Sequence, residues 1–300
     1  MVMDPVKRMY LTLQAEQEAK LLEYKMPKQR IRASETGTCK RATVYRLMGY
    51  IPKVFGARGV DFSEDGDIHH DAVRFKLKNA GNKLDFLRFN EDRTVTELAE
   101  GVFTVRHKCP DGEVVDISYS WRADGAIRIG NTWHVLEIKS IGSGDRRIYQ
   151  QAWASGSPDA VLGKMMESSK GMGYVMQCHA VMEGFKRNLK KSMKKAYLLI
   201  KDRDYCAIGL HSFNRPEQIV GGPTVQYRKA MWTQVLNRGA TIMRCLKSGE
   251  LPMAEFLPSS KECTSMCNYY HLCHGAAKRA KLDLPPEHPT LGDKLHVDDL

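Results

Sequence analysis

Apolar residues recur at helical spacing over residues 4–24, where Val6, Met9, Tyr10, Leu13, Leu21 and Leu22 share a face. That pattern predicts an amphipathic N-terminal helix. The basic stretch Lys28-Gln-Arg-Ile-Arg-Ala-Ser-Glu-Thr-Gly37 reads as a loop. Ser34 or Thr36 is placed to cap a short helix from Thr38 to about Met48 that contains Cys39. A Gly- and Pro-rich connector covers 49–60, and a second helix is expected over 64–80, with His69 and His70 on it. From residue 102 the period drops to two. Val102-Phe-Thr-Val-Arg-His107 alternates as a strand does, Pro110-Asp-Gly112 supplies a turn, and Val114 to Trp121 returns as the partner strand. Strands at 124–129 and 132–139 follow, joined at Gly130-Asn131. Residues 142–172, rich in Gly, Ser, Asp and Lys, predict a mobile loop holding one helix. Then come a helix over about 172–193, strands at 196–201 and 205–212, and a long helix at roughly 224–248. Residues 251–275 hold three cysteines among loops, and 278–300 read as a disordered basic and Pro-rich acidic tail.

Bulk numbers narrow the partners. A chain of 300 residues with 42% hydrophobic content can fill one large core or two small ones. The net charge of +11 favours a polyanionic partner. No segment has the apolar length of a signal peptide or a bilayer span, so a cytoplasmic protein with no membrane partner is expected. Its eight cysteines are then expected to be reduced, and clustered ones to be metal ligands rather than disulfides.

Candidate chemistry centres on Asp124 and on Glu137-Ile138-Lys139. The strand period sends Glu137 and Lys139 to one face, and the hairpin brings Asp124 across from them. Two carboxylates can hold a divalent cation, which neutralises a phosphodiester and acidifies a bound water, while the amine sits beside them. Taken alone, the same pattern also suits a pair of exposed strand charges.

These residues resemble the signature of the PD-(D/E)xK nucleases. Gly66-Asp-Ile-His-His70 is similar to the Gly-x-x-x-His element of the RecB-like exonuclease branch, in which the histidine, here His70, is a metal ligand. Gln177 resembles the branch's Gln-x-x-x-Tyr element, although Val181 stands where Tyr is expected and Gln150 or Gln151 could hold the role instead. The resemblance implies an α/β fold: a restriction-endonuclease-like core with a mixed central sheet flanked by helices, plus a helical, cysteine-ligated iron–sulfur subdomain that joins the N- and C-terminal segments. It assigns His70, Asp124, Glu137 and the Ile138 carbonyl to Mg²⁺ or Mn²⁺, Lys139 to the water or the phosphate, and Gln177 to DNA. The implied activity is exonucleolytic hydrolysis of DNA, preferentially at single-stranded ends. Such small members act in phage or prokaryotic recombination, repair or degradation, in the cytoplasm of a prokaryotic cell or phage-infected host.

Cys263, Cys267 and Cys273 lie within eleven residues, and Cys39 is far upstream. This one-plus-three layout resembles the iron–sulfur members of the branch, in CRISPR-associated and AddB-type proteins, and implies a [4Fe–4S] cluster. Zn²⁺ held by the three clustered cysteines with His271, His274 or Cys39 is the alternative. Cys109, Cys178, Cys206 and Cys245 read as small buried hydrophobes. Lys186 to Lys195 and the basic residues from Lys28 to Arg41 are candidate phosphate contacts, as are Arg146 and Arg147; Trp153, Tyr269 and Tyr270 are candidates for stacking on bases. The expected division is an N-terminal segment at 1–60, a nuclease core at 61–215, a C-terminal helix with cluster cysteines at 216–277 and the tail at 278–300. A homo-oligomer and a recombination or integration partner are both compatible with the sequence. A non-catalytic zinc- or iron–sulfur-stabilised nucleic-acid-binding module is the competing reading.

Overall fold

The computed structural model describes residues 29–50, 70–79, 81, 83–85, 87–89, 95–141, 158–202, 219–221, 223–264, 267 and 269–274. The expected N-terminal helix, His69, the 142–157 loop with Arg146, Arg147, Gln150, Gln151 and Trp153, the 205–212 strand with Cys206, and the tail lie outside the described residues. So do most of the connector and the first part of the second helix.

The chain is α/β, with mixed sheets flanked by helices. Strands β1 (Ile31–Arg32), β5 (Glu100–Lys108) and β6 (Val114–Arg122) form one sheet in the order β1-β6-β5. The β5/β6 hairpin is paired along its whole length, from Glu100 opposite Arg122 to Lys108 opposite Val114. Its alternation is the expected one: Phe103 and Val105 on β5 and Ile117, Tyr119 and Trp121 on β6 point inward, whereas Thr104 and Arg106 are exposed. Strands β2 (Lys83–Asp85), β7 (Gly125–Ile129), β8 (Thr132–Ile141), β9 (Lys195–Asp202) and β10 (Ile219–Gly221) make the larger sheet in the order β10-β9-β8-β7-β2, with β11 (Thr224–Gln226) also paired to β9. Only the β8/β9 pair in it is parallel. Strands β3 (Leu87–Phe89) and β4 (Val95–Leu98) form a separate ribbon.

Strand β8 is the centre. Five consecutive residues, His134 to Ile138, are buried, as a strand covered on both faces requires. One face carries Leu136 and Ile138, which pack with Val73 and Leu77 of helix α2 (70–79). The other carries Val135, which joins Leu198 and Ile200 of β9 and the buried Val175, Cys178 and Met182 of helix α4 (Ser169–Asn188). Helix α1 (Lys40–Leu47), helix α3 (Pro158–Met166) and helix α5 (Lys229–Ser248) surround this core. On α5, Trp232 meets the rings of Phe103 and Tyr119 at centroid distances of 6.3 and 5.8 Å, and the Tyr119 hydroxyl donates to the Val235 carbonyl at 3.1 Å. Short helices α6 (Lys261–Thr264) and α7 (Tyr270–His274) carry Cys263 and Cys273, with Cys267 between them. No helix among the described residues is long and apolar enough to cross a membrane.

Several expected elements come out differently. The long helix begins at Lys229 rather than 224, because Thr224 to Gln226 pair with Tyr197 to Lys195 as an edge strand. Sheet pairing overrides a helical period that begins close by. The basic loop is partly ordered as β1 and a 3-10 turn at Ala33–Glu35, since Ile31 pairs with Tyr119 and Glu35 accepts the Arg32 amide at 2.9 Å. Neither Ser34 nor Thr36 caps α1. Cys39 holds the cap position without a side-chain bond, and Thr36 Oγ1 donates instead to the Ala33 carbonyl at 2.7 Å. The helix expected over 172–193 is α4, which Ser168 caps by accepting the Gly171 amide at 3.0 Å.

The early and late parts of the described chain are tied by charge as well as by apolar contact. Glu255 accepts from Lys40 Nζ at 2.6 Å, from the Lys40 amide at 2.7 Å and from Arg238 Nη1 at 2.7 Å. Burial alone would raise its pKa, but the Arg238 and Lys40 bonds outweigh burial and hold the carboxyl below its ordinary range. A carboxyl whose folded pKa is depressed contributes stability above its unfolded pKa and loses it as pH falls through the folded value. Glu255→Gln is therefore expected to lower stability by about 2 kcal/mol at neutral pH. The deficit should shrink as the parent is acidified below about pH 4. Urea titrations of both proteins at pH 7 and pH 3.5 check this, and an equal deficit at both pH values would contradict it.

Candidate metal and nuclease site

Three elements deliver the residues picked out in the sequence. His70 opens the described part of α2, Asp124 precedes β7 directly, and Glu137 and Lys139 lie two apart on β8. The β7/β8 turn is tight because Gly130 takes φ 59, a conformation that favours glycine. The resulting register places Gly125 opposite Leu136, and so sets Asp124 beside the Glu137-Ile138 step. Asp124 Oδ2 accepts the Ile138 amide at 2.7 Å. The Ile138 amide thereby fixes the Asp124 carboxylate against β8.

Asp124 Oδ1 accepts from His70 Nδ1 at 3.1 Å and from Arg74 Nη2 at 2.7 Å. Arg74 is almost wholly buried and also donates through Nε to the Asp124 carbonyl at 2.9 Å and through Nη1 to Asp71 at 2.7 Å. Burial works to raise the Asp124 pKa, but the His70 hydrogen bond and the charges of His70, Lys139 and Arg74 prevail and hold it at about 2. Glu137 is the opposite case. Its side chain is buried at 1% exposure, and burial, with some help from the Asp124 charge, pushes its pKa up to about 7 despite the attraction of Lys139. Glu137 Oε1 is fully engaged, with Gln177 Nε2 at 2.6 Å and Lys139 Nζ at 2.7 Å. Its Oε2 is buried and has no hydrogen-bond partner among the described residues.

Lys139 Nζ also donates to Gln177 Oε1 at 2.9 Å. Burial pulls the Lys139 pKa down, but Glu137 and Asp124 outweigh it, so the amine stays charged. Gln177 of α4 thus belongs to the site, and Val181, one turn later, is buried in the core. Two residues that the sequence reading missed also belong. Arg74, one turn after His70, clamps Asp124; Tyr174, one turn before Gln177, places its ring centroid 5.0 Å from Lys139 Nζ. Helical spacing from the chosen residues was the signal that could have found both.

The backbone of α4 comes close to the N-terminal turn here. A side chain at Gly37 would overlap the Gly173 backbone. Beside that crossing lies a cleft of about 520 Å³ whose walls include Lys139, Tyr174, Gln177, Arg32, Cys39 and Cys267.

Cys39, Cys263, Cys267 and Cys273 line one small cavity together, roofed by Arg41, Tyr45 and Tyr269. All four are free thiols. Arg41 Nη1 donates to Cys273 Sγ at 3.2 Å. Burial first, and then the nearby charges of Cys39 and Cys273, push the Cys263 and Cys267 thiols up. Tyr269 stacks on Tyr45 at 5.8 Å and is buried, so it packs this cavity rather than presenting a ring to solvent. Tyr270 is exposed. Among the described residues, no group of three or more His, Cys, Asp or Glu is gathered tightly enough to hold one metal ion as it stands. Of the other cysteines, Cys109 and Cys178 are buried as expected, while Cys245 is only half-buried.

The basic segments do not all reach the site. Lys186 and Arg187 turn to buried Glu183 at 3.7 and 2.8 Å. Lys190, Lys191, Lys194 and Lys195 are exposed, but Lys195 pairs five residues before Ile200, the partner of Lys139, or about 17 Å along the strand. Near the cysteines, Lys40 is spent on Glu255, and Arg41 on the Pro252 carbonyl and Cys273.

A scan against protein-family models and a search of curated proteins gave no match. Among solved structures the chain is similar to one described as the crystal structure of SSO0001, with 17% identity, 90% of this chain and 97% of that chain covered, and a TM-score of 0.44. A likeness at that level carries no weight for function.

Proposed function

We propose that this protein is a metal-dependent deoxyribonuclease of the RecB-like PD-(D/E)xK type, an exonuclease acting on single-stranded DNA ends. The observation that carries the reading is the buried Glu137 Oε2, which has no hydrogen-bond partner among the described residues, on a carboxyl that feels the charges of Lys139, Asp124 and His70. A buried carboxylate oxygen with no donor is costly unless a cation serves it. The donor set, two carboxylates and one imidazole, suits Mg²⁺ or Mn²⁺. His70, Asp124 and Glu137 would hold the cation, with the Ile138 carbonyl as a further oxygen donor. When bound, the cation supplies charge neutralisation at the scissile phosphate and a more acidic water.

The chain's own groups do the rest. Arg74 and the Ile138 amide fix the Asp124 carboxylate from two sides. Gln177 donates to Glu137 and accepts from Lys139, and so spaces the acid and the amine. Lys139 keeps a proton on Nζ, ready to stabilise the charge that develops on the phosphate oxygens.

For the cysteines, the reading is a [4Fe–4S] cluster in an iron–sulfur subdomain. A single Zn²⁺ with bonds of about 2.3 Å would draw four thiolates within about 4 Å of one another. The four described thiols line a common cavity, and four cysteines are the ligand set that a [4Fe–4S] cluster uses. Arg41 would stand beside that cluster, where its Nη1 donates to Cys273 Sγ at 3.2 Å.

Digestion of end-labelled oligonucleotides with and without Mn²⁺ tests the function. The parent is expected to shorten single strands progressively only with the metal, and Lys139→Ala to be slower by at least about 10²-fold. A parent that binds DNA but leaves it intact would favour the non-catalytic module instead.

A further inference from the structure

We infer that Tyr174 is a positioning residue for Lys139: its ring holds the ammonium on the cleft side of the site, a role no other described aromatic side chain takes. The inference rests on the nuclease reading for its kinetic consequences and on geometry alone for its structural ones. Lys139 Nζ is bound on one side by Glu137 Oε1 at 2.7 Å and Gln177 Oε1 at 2.9 Å. Those two acceptors pull it toward the sheet and α4. The same ammonium lies over the Tyr174 ring, 5.0 Å from its centroid. A cation within about 6 Å of an aromatic face is attracted to it, most strongly where water is scarce. Lys139 is such a place, since its side chain is only 16% exposed.

The ring itself is well anchored. Tyr174 lies three residues before Gln177 on the same face of α4, so one helix fixes both Lys139 contacts relative to each other. Gly173 presses against Gly37 just before it, which fixes the backbone there. Lys139, Tyr174 and Gln177 all border the cleft that would receive the substrate. A lysine has four rotatable stem bonds, and without the ring its ammonium, then held by Glu137 and Gln177 alone, can swing within this cleft. The ring therefore selects the arm position that a phosphate in the cleft would meet.

The experiment compares Tyr174→Phe and Tyr174→Leu with the parent. In the kinetic arm, on a short single-stranded oligonucleotide with Mn²⁺, Tyr174→Leu should lose about ten-fold in kcat with KM changed less than about two-fold. Tyr174→Phe should stay close to the parent. The second arm needs no activity: Lys139 labelling by a small acylating reagent, followed by peptide mass spectrometry, should be at least about three-fold faster in Tyr174→Leu than in the parent or Tyr174→Phe. If Tyr174→Leu melts well below the parent, Tyr174→Met takes its place in both arms. An effect on KM alone would overturn the inference, because the ring would then be a substrate contact. So would a Tyr174→Phe protein as slow as Tyr174→Leu, or equal labelling in all proteins. A parent with no nuclease activity but with the labelling difference would sink the functional reading and keep the positioning role.

Discussion

Glu137→Gln is expected to lose metal-stimulated DNA cleavage by at least about 10³-fold while folding as well as the parent. The activity loss follows from the donor set. A cation ligand contributes several kcal/mol of charge stabilisation, and each 1.36 kcal/mol is about ten-fold in rate. The stability outcome is less usual and comes from burial. Glu137 is buried at 1% exposure with one oxygen lacking a hydrogen-bond partner among the described residues, and that burial moves its pKa up to about 7. Replacing it with an amide of the same shape removes a buried charge. The new Oε1 can still accept from Gln177 Nε2, now at 2.6 Å from the acid, and from Lys139. The lost attraction to Lys139 and the relieved desolvation offset each other, so the change in unfolding free energy should stay within about 1 kcal/mol. Single-turnover cleavage with Mn²⁺ and chemical denaturation of the same preparations measure the two halves. A variant that cleaves at the parent rate would remove Glu137 from the chemistry. A variant destabilised by several kcal/mol would mean that the carboxylate is structural first.

Cys267→Ser should lose stability before it loses chemistry. Cys39 and Cys263 are 224 residues apart in the chain, yet both border the same small cavity with Cys267 and Cys273. A ligand group joining them closes that loop in the unfolded state as well, worth about 5 kcal/mol as an upper bound from chain entropy. The Lys40–Glu255–Arg238 ties and the Tyr45/Tyr269 stack join the same two ends. They should retain part of that stability, so a loss of about 2–4 kcal/mol is expected. For a chain of this size that is a fall of about 3–6 °C in Tm. Melting of anaerobically prepared parent and variant, each with and without a chelator, checks it. Chelation should lower the parent toward the variant and leave the variant nearly unchanged. Identical melting of parent and variant would leave the cysteine cavity without a stabilising role.

Sequence alone determined what depends on local periodicity. The strand period put Glu137 and Lys139 on one face, and the Gly130 turn brought Asp124 beside them, because neither needs information from beyond about fifteen residues. The β5/β6 hairpin was legible for the same reason. Gln177 could be named only through a family pattern, and the tertiary contact between α4 and β8 decided that it spans Glu137 and Lys139. Arg74 and Tyr174 stand one helical turn from His70 and Gln177, so spacing could nominate them, but only the fold shows that they meet Asp124 and Lys139. The edge strand at Thr224–Gln226 and the parallel strand at Ile31–Arg32 exist through pairing with partners about thirty and ninety residues away, which no local propensity encodes. The four cysteines could be counted from the sequence, but only packing of α1 against the C-terminal segment brings them to one cavity. Short-range geometry is written in the order of residues, whereas the meeting of distant segments is settled by the burial and charge pairing of the whole fold.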